Sequence, residues 1–88
     1  MLISVYGEAT YLKSLQLQKT LHQNEIAAEV YPDEDKLKKQ LKYADRKGIP
    51  FVLLAGPEEI SKGEYVLKDM QSGEQEYLDE KKLIERLA

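Results

Sequence analysis

Residues 37–56 read LKKQLKYADRKGIPFVLLAG, and within this one stretch the hydrophobic spacing changes from that of a helix to that of a strand. Leu37, Leu41 and Ala44 recur at intervals of four and three, which puts them on one helical face. Gly48 stands where a left-handed cap belongs, and Pro50 has no amide hydrogen with which to continue the helix. From Phe51 to Ala55 every side chain is apolar, the pattern of a parallel strand covered on both faces. A helix from about Glu34 to Lys47 is therefore expected to feed directly into the central strand of a sheet.

The flanking sequence extends the same alternation. Upstream, LISVYG (2–7) is β-rich and ends at glycine, and IAAEVY (26–31) is a second strand that Pro32 ends. Between them a helix is predicted from Ala9 to about His22. Leu17 and Leu21 repeat at four, Tyr11, Leu12 and Leu15 widen the apolar arc, and Gln18 and His22 interrupt it. Asn24 is the expected left-handed cap of this helix. Asp33, Glu34 and Asp35 offer capping oxygens and negative charge to the next one.

Downstream, Gly56 and Pro57 break the central strand, and EEISKG (58–63) reads as a turn. EYVLKDM (64–70) alternates like a strand with one more exposed face, and QSG (71–73) turns it into EQEYL (74–78). Asp79 is the expected N-cap of a last helix, with Leu78 and Leu83 at the positions of a hydrophobic staple and Leu83, Ile84 and Leu87 as its stripe. The order β-α-β-α-β, then a hairpin, then a helix predicts a three-layer α/β/α domain with a five-stranded mixed sheet, residues 1–88 forming a single domain.

Composition bounds the chemistry. With 88 residues the chain has room for one modest core, and 42% hydrophobic with 33% charged residues describes an ordinary globular domain. No apolar run approaches the roughly 20 residues that span a bilayer. There is no cysteine, hence no disulfide, thiolate metal site or thiol nucleophile, and the N-terminus lacks the features of a secretory signal; both fit a cytoplasmic protein. The single histidine, His22, sits near a helix end and reads as structural or solvated. No Gly-rich phosphate loop and no metal-ligand cluster is present, so no catalytic residue, metal ligand or cofactor is assigned.

Positive charge is concentrated in one place. Lys38, Lys42 and Arg46 recur every four residues, with Lys36, Lys39 and Lys47 nearby, in a chain of net charge −3. Charge spacing by itself reads as a solvated outer face. The wording is more telling than the charge. The opening stretch, the following PEE, and VLKDMQSGEQ resemble the C-terminal anticodon-binding domain of class II aminoacyl-tRNA synthetases, nearest to the histidyl-tRNA synthetases. A basic helix with KKQ, then AD, a hydrophobic strand reaching Gly-x-x-Glu, Lys-Asp-hydrophobic and Gly-Glu-Gln all occur at the family's spacings. The resemblance covers nearly the whole chain and is firmest from Lys36 to Gln75. It departs from the family at Leu21, His22 and Glu25, where Leu-Arg and a helix-ending glycine are common, so no arginine contact is carried over there.

That resemblance implies a module that binds the anticodon of tRNA, expected to be a histidine tRNA, and performs no reaction alone. The parent would supply a catalytic domain that uses ATP, and would be expected to form a homodimer. Unpaired anticodon bases can be splayed, stacked on side chains and read at their edges. A GUG anticodon offers two guanines whose ring N–H and amino groups suit a carboxylate. On this reading Glu59, the glutamate of Gly-x-x-Glu, is the leading base reader, Lys68 donates to a base oxygen or phosphate, and Gln75 donates and accepts. Lys38, Lys39, Gln40 and Lys42 contact backbone or base, while Tyr43 and Ala44 pack inward. Taken alone, Glu59 is a surface charge at a turn and Lys68 an edge-strand gatekeeper. A synthetase-like regulatory or accessory module without aminoacylation is the alternative. A flavodoxin- or thioredoxin-like enzyme is suggested only by element order, and lacks the acidic cluster after strand one and the redox cysteines.

Overall fold

The computed structural model of the chain describes residues 1–5, 8–31 and 36–87, the side chains at 8 and 9 excepted. Its elements are β1 (Leu2–Ile3), α1 (Glu8–Gln23), β2 (Glu29–Val30), α2 (Leu37–Lys47), β3 (Phe51–Leu54), α3 (Pro57–Lys62), β4 (Glu64–Asp69), β5 (Gln75–Asp79) and α4 (Glu80–Leu87). The five strands lie in the order β2-β1-β3-β4-β5. β1 runs parallel to β2 and β3, while β3–β4 and β4–β5 are antiparallel, so the sheet is mixed and β3 is its centre.

Both faces of the centre are buried because successive strand residues point to opposite sides. Ile3 and Leu53 join a core with Leu17 and Leu21 of α1, Leu83 of α4 and, at its margin, Ile60 of α3. Leu2 and Val52 enter a second core with Ala44 of α2, bordered by Leu41 and Tyr43. The expected three layers are present, with α2 on one side of the sheet and α1, α3 and α4 on the other. The inward packing expected of Tyr43 and Ala44 holds: Ala44 is fully buried, and the Tyr43 ring meets Tyr31 edge-on at 5.4 Å between centroids.

Helix α1 differs from its predicted arc. Leu12 and Leu15 are exposed, and the buried stripe is instead Thr10, Ser14, Leu17 and Leu21. Small polar residues let the helix approach the sheet closely while their hydroxyls stay satisfied. Ser14 Oγ donates to the carbonyl of Ser4, and Ser4 Oγ donates to that of Leu53. Gln18 and His22, which break the apolar arc, have a role of their own: Gln18 Nε2 and His22 Nε2 each donate to the Ala28 carbonyl at 3.0 Å, tying α1 to the chain entering β2.

The end of α1 also differs from expectation, since the left-handed residue is Glu25 (φ 62°) and not Asn24. The Ile26 amide donates to the Leu21 carbonyl and the Glu25 amide to that of His22, the paired bonds of a Schellman cap. Asn24 turns its side chain back to the Thr20 carbonyl instead. Helix α2 begins at Leu37, later than expected, and Lys36 at its N-cap makes no side-chain capping bond. Asp33, Glu34 and Asp35 lie outside the described residues. The caps at Gly48 and Asp79 are as expected: Gly48 is left-handed, and Asp79 Oδ1 accepts from the Lys82 amide at 2.8 Å. Among the described residues no helix is long and apolar enough to cross a membrane.

Candidate nucleic-acid interface

Helix α2 carries five basic residues and one acidic residue between Leu37 and Lys47. Its inner side is fixed by Gln40, Leu41 and Ala44, which leaves the charged positions facing outward. Lys38, Lys39 and Lys42 are exposed, and with Lys36 they line a shallow hollow. A second hollow continues it along Tyr31, Lys39, Lys42, Asp45 and Arg46. Lys47 lies over the Tyr43 ring at 5.7 Å. The result is a positive ridge of flexible ammonium and guanidinium groups, chemically suited to phosphates.

Gln40, expected among these contacts, is not part of the ridge. It is completely buried. Its Oε1 accepts from the Val5 amide at 2.9 Å, and its Nε2 donates to the Val5 carbonyl at 2.8 Å. The carboxamide thus stands in for a neighbouring strand at the end of β1, where Val5 would otherwise have buried, unpaired backbone groups. The sequence carried a signal for this role, because Gln40 lies three positions after Leu37 and four before Ala44, on the inner side of the helix.

The other predicted readers gather on the second half of the sheet. In the β4–β5 pairing Lys68 faces Gln75 directly, and Val66 faces Tyr77. Opposed residues share one face, and Val52↔Lys68 on β3–β4 identifies it as the α2 side. The register is set by the hairpin. Asp69 Oδ1 accepts from the amides of Gln71 and Ser72, the Gly73 amide donates to the Asp69 carbonyl, and Gly73 is left-handed at φ 80°. The Lys-Asp-Met and Gly-Glu-Gln words are therefore the two arms and the turn of one hairpin, and their spacing is what brings Lys68 and Gln75 together. Lys68 is on β4, between β3 and β5, so the edge-gatekeeper reading does not apply to it.

Glu59 is not on a turn. The EEISKG segment forms most of α3, with Gly56 as N-cap, Pro57 in the first turn and Gly63 as a left-handed end. Proline fits there because the first helical amides have no partner in any case. Glu58 and Glu59 occupy the first turn, where the helix dipole favours negative charge. Glu59 is half-buried and lines an open hollow with Glu58, Lys62, Glu64, Val66 and Tyr77. Three carboxylates against one ammonium make this hollow negative, opposite in sign to the α2 ridge.

The sequence reading missed Tyr77, an exposed ring two positions from Gln75 and on the same side of β5. Strand alternation in EQEYL was the available signal. The two regions thus differ in chemistry: ammonium and guanidinium groups along α2, and carboxylate, amide and aromatic groups on α3, β4 and β5.

Comparison with known proteins places the chain in a family. Residues 2–88 match the family described as Anticodon binding domain. A histidine–tRNA ligase from Christiangramia forsetii is 49% identical over 74 residues, which is 84% of this chain and 16% of that protein. The crystal structure of histidyl-tRNA synthetase from Nostoc sp. PCC 7120 superposes with a TM-score of 0.92 at 27% identity, over 97% of this chain and 20% of that one. The RNA binding domain of threonyl-tRNA synthetase from Cryptosporidium parvum Iowa II gives a TM-score of 0.90 at 15% identity, over 98% of this chain and 22% of that one, a likeness of fold alone. The chain therefore spans about a sixth of the length of the ligase it matches. Its strand order, its two-faced core and the match over 2–88 lead to one conclusion: the chain belongs to the anticodon-binding domain family.

Proposed function

We propose that this chain is the part of a histidine–tRNA ligase that holds the anticodon of histidine tRNA, so that a catalytic domain elsewhere in the parent charges the correct tRNA. The observation that carries this reading is the 49% identity to a histidine–tRNA ligase of which the chain spans only 16%. The module itself performs no aminoacylation; ATP and histidine are handled by the rest of the parent, a cytoplasmic homodimer. Residues 1–88 act as a single domain. Lys38, Lys39 and Lys42 follow the RNA backbone, while Glu59, Lys68 and Gln75 meet the bases. Glu59 accepts from the ring N–H and amino group of a guanine, Lys68 donates to an oxygen, and Gln75 serves as donor and acceptor.

The test is fluorescence anisotropy at fixed salt with a GUG anticodon stem-loop, and with loops in which each guanine is replaced in turn. Tight binding of the GUG loop and loss on replacement of either guanine is the expected result, together with no histidine-dependent pyrophosphate exchange by the chain alone. Equal affinity for every loop would overturn the anticodon assignment.

A further inference from the structure

Tyr77 has no evident part in holding the fold. It is 67% exposed, and it belongs to neither hydrophobic core. Among the described residues no other aromatic side chain is classed as exposed. Its position is nonetheless well defined. β5 pairs with β4 along its whole length, and Tyr77 sits opposite Val66, one pair along from Lys68–Gln75 on the same face. The ring is thus roughly 7 Å along the strand from Gln75. Glu64 and Gln75 are also exposed on this face, so no helix covers β5 there.

The surroundings select an occupant by charge. Tyr77 shares its hollow with Glu58, Glu59, Glu64 and Lys62, over the buried side chain of Val66. An excess of carboxylates disfavours a phosphate and favours a group that brings hydrogen-bond donors on a flat, polarisable body. An unpaired guanine has that form: a π-face for the ring, and imino and amino hydrogens for the acids. A strand-held tyrosine also loses little side-chain freedom when something lies on it, having only two rotatable bonds.

We propose that Tyr77 is the stacking platform for one guanine of the anticodon loop, held face-on by the ring while its edge meets the Glu59 carboxylate. This inference rests on the anticodon-binding reading above and adds the residue that orients the base. Gln75 and Lys68 then face the next nucleotide along the strand, and the lysine ridge of α2 takes backbone phosphates. Base reading and backbone holding fall on surfaces of opposite charge.

The experiment compares the parent chain with Tyr77→Phe and Tyr77→Ser against the GUG stem-loop, by anisotropy and by the NMR shifts of the loop guanine H8 protons. Stacking on a side chain is worth roughly a 5- to 150-fold change in affinity when the ring is removed. Tyr77→Ser is expected to lose affinity in that range and Tyr77→Phe to keep it. One guanine H8 should move upfield in complexes of the parent and of Tyr77→Phe, and not of Tyr77→Ser. Urea unfolding of each variant confirms that it is folded under binding conditions. If Tyr77→Ser binds the loop as the parent does, with the same H8 shift, the platform is overturned while anticodon reading stands. If the parent binds no loop, the function proposed above fails, and this inference with it.

Discussion

The α2 ridge and the hollow beside α3 differ in charge, in rigidity and in how they were legible. The ridge is a row of long cations on the outside of a helix, and its charge spacing is plain in LKKQLKYADRK. The hollow has three acids and one lysine, and its walls come from α3, β4 and β5. A ridge of this kind can attract any single strand, because phosphates carry no sequence information. A hollow built on strand pairs and a capped helix can hold a few groups in fixed directions, which is what discrimination requires. On the function proposed above, the difference makes the conspicuous charge of this protein its less selective part.

The largest effect should come from the residue that looks like part of the ridge and is not. Gln40→Ala leaves the Val5 amide and carbonyl without their partners in a buried place, at ~1–3 kcal/mol for each group. A stability loss of about 3 kcal/mol is expected by urea unfolding, with loop affinity of the folded fraction unchanged. A stable Gln40→Ala that binds RNA poorly would return Gln40 to the interface and blur the contrast between the two sides of α2.

Next in size is the hollow itself. Glu59→Gln keeps the shape of the side chain but replaces one acceptor oxygen with a donor, which on the proposed reading would face the donor edge of guanine. A loss on the order of 1.5–3 kcal/mol is expected, as for hydrogen bonds to charged groups, and only with the cognate loop. A uniform loss across all loops would make Glu59 an electrostatic neighbour of the RNA, and the hollow no more selective than the ridge.

Element order apart from α3, the central strand and the last helix were legible because each rests on local chemistry: the apolar run Phe51–Ala55, the Gly48 and Pro50 stop, the Asp79 cap. The misses have physical causes as well. Asn24 is the better intrinsic left-handed residue, yet the Schellman bonds of Ile26 and Glu25 fix the register one position later. EEISKG has the composition of a turn, and becomes α3 because Gly56, Pro57 and Gly63 supply both ends of a helix. The pairing of Lys68 with Gln75 could not be read without the hairpin register, and neither could the hollow, whose lining spans three elements. The strained corner offers a control remote from ridge and hollow alike. Glu25→Gly removes a side chain from a left-handed backbone that costs an L-residue ~1–2 kcal/mol, so a gain near 1 kcal/mol in unfolding free energy is expected, with RNA affinity unmoved. A loss of stability would mean that the Glu25 side chain contributes more than its backbone strain costs.

The smallest effect at a single salt concentration should come from the ridge, where solvent screens each charge. Its signature lies in the slope instead. Each phosphate contact on a single strand contributes about 0.7 to the log–log dependence of affinity on salt, through the counterion released. Lys38→Ala with Lys42→Ala removes two exposed ammonium groups from the same side of α2. If both meet phosphates, the slope should flatten by about 1.4, equally for GUG and altered loops, while the ratio of their affinities stays constant. An unchanged slope would make the ridge a solvated helix face and nothing more. A changed ratio would be the more instructive failure, because charge on α2 would then take part in choosing the base, and the division between a surface that holds and a surface that reads would not describe this protein.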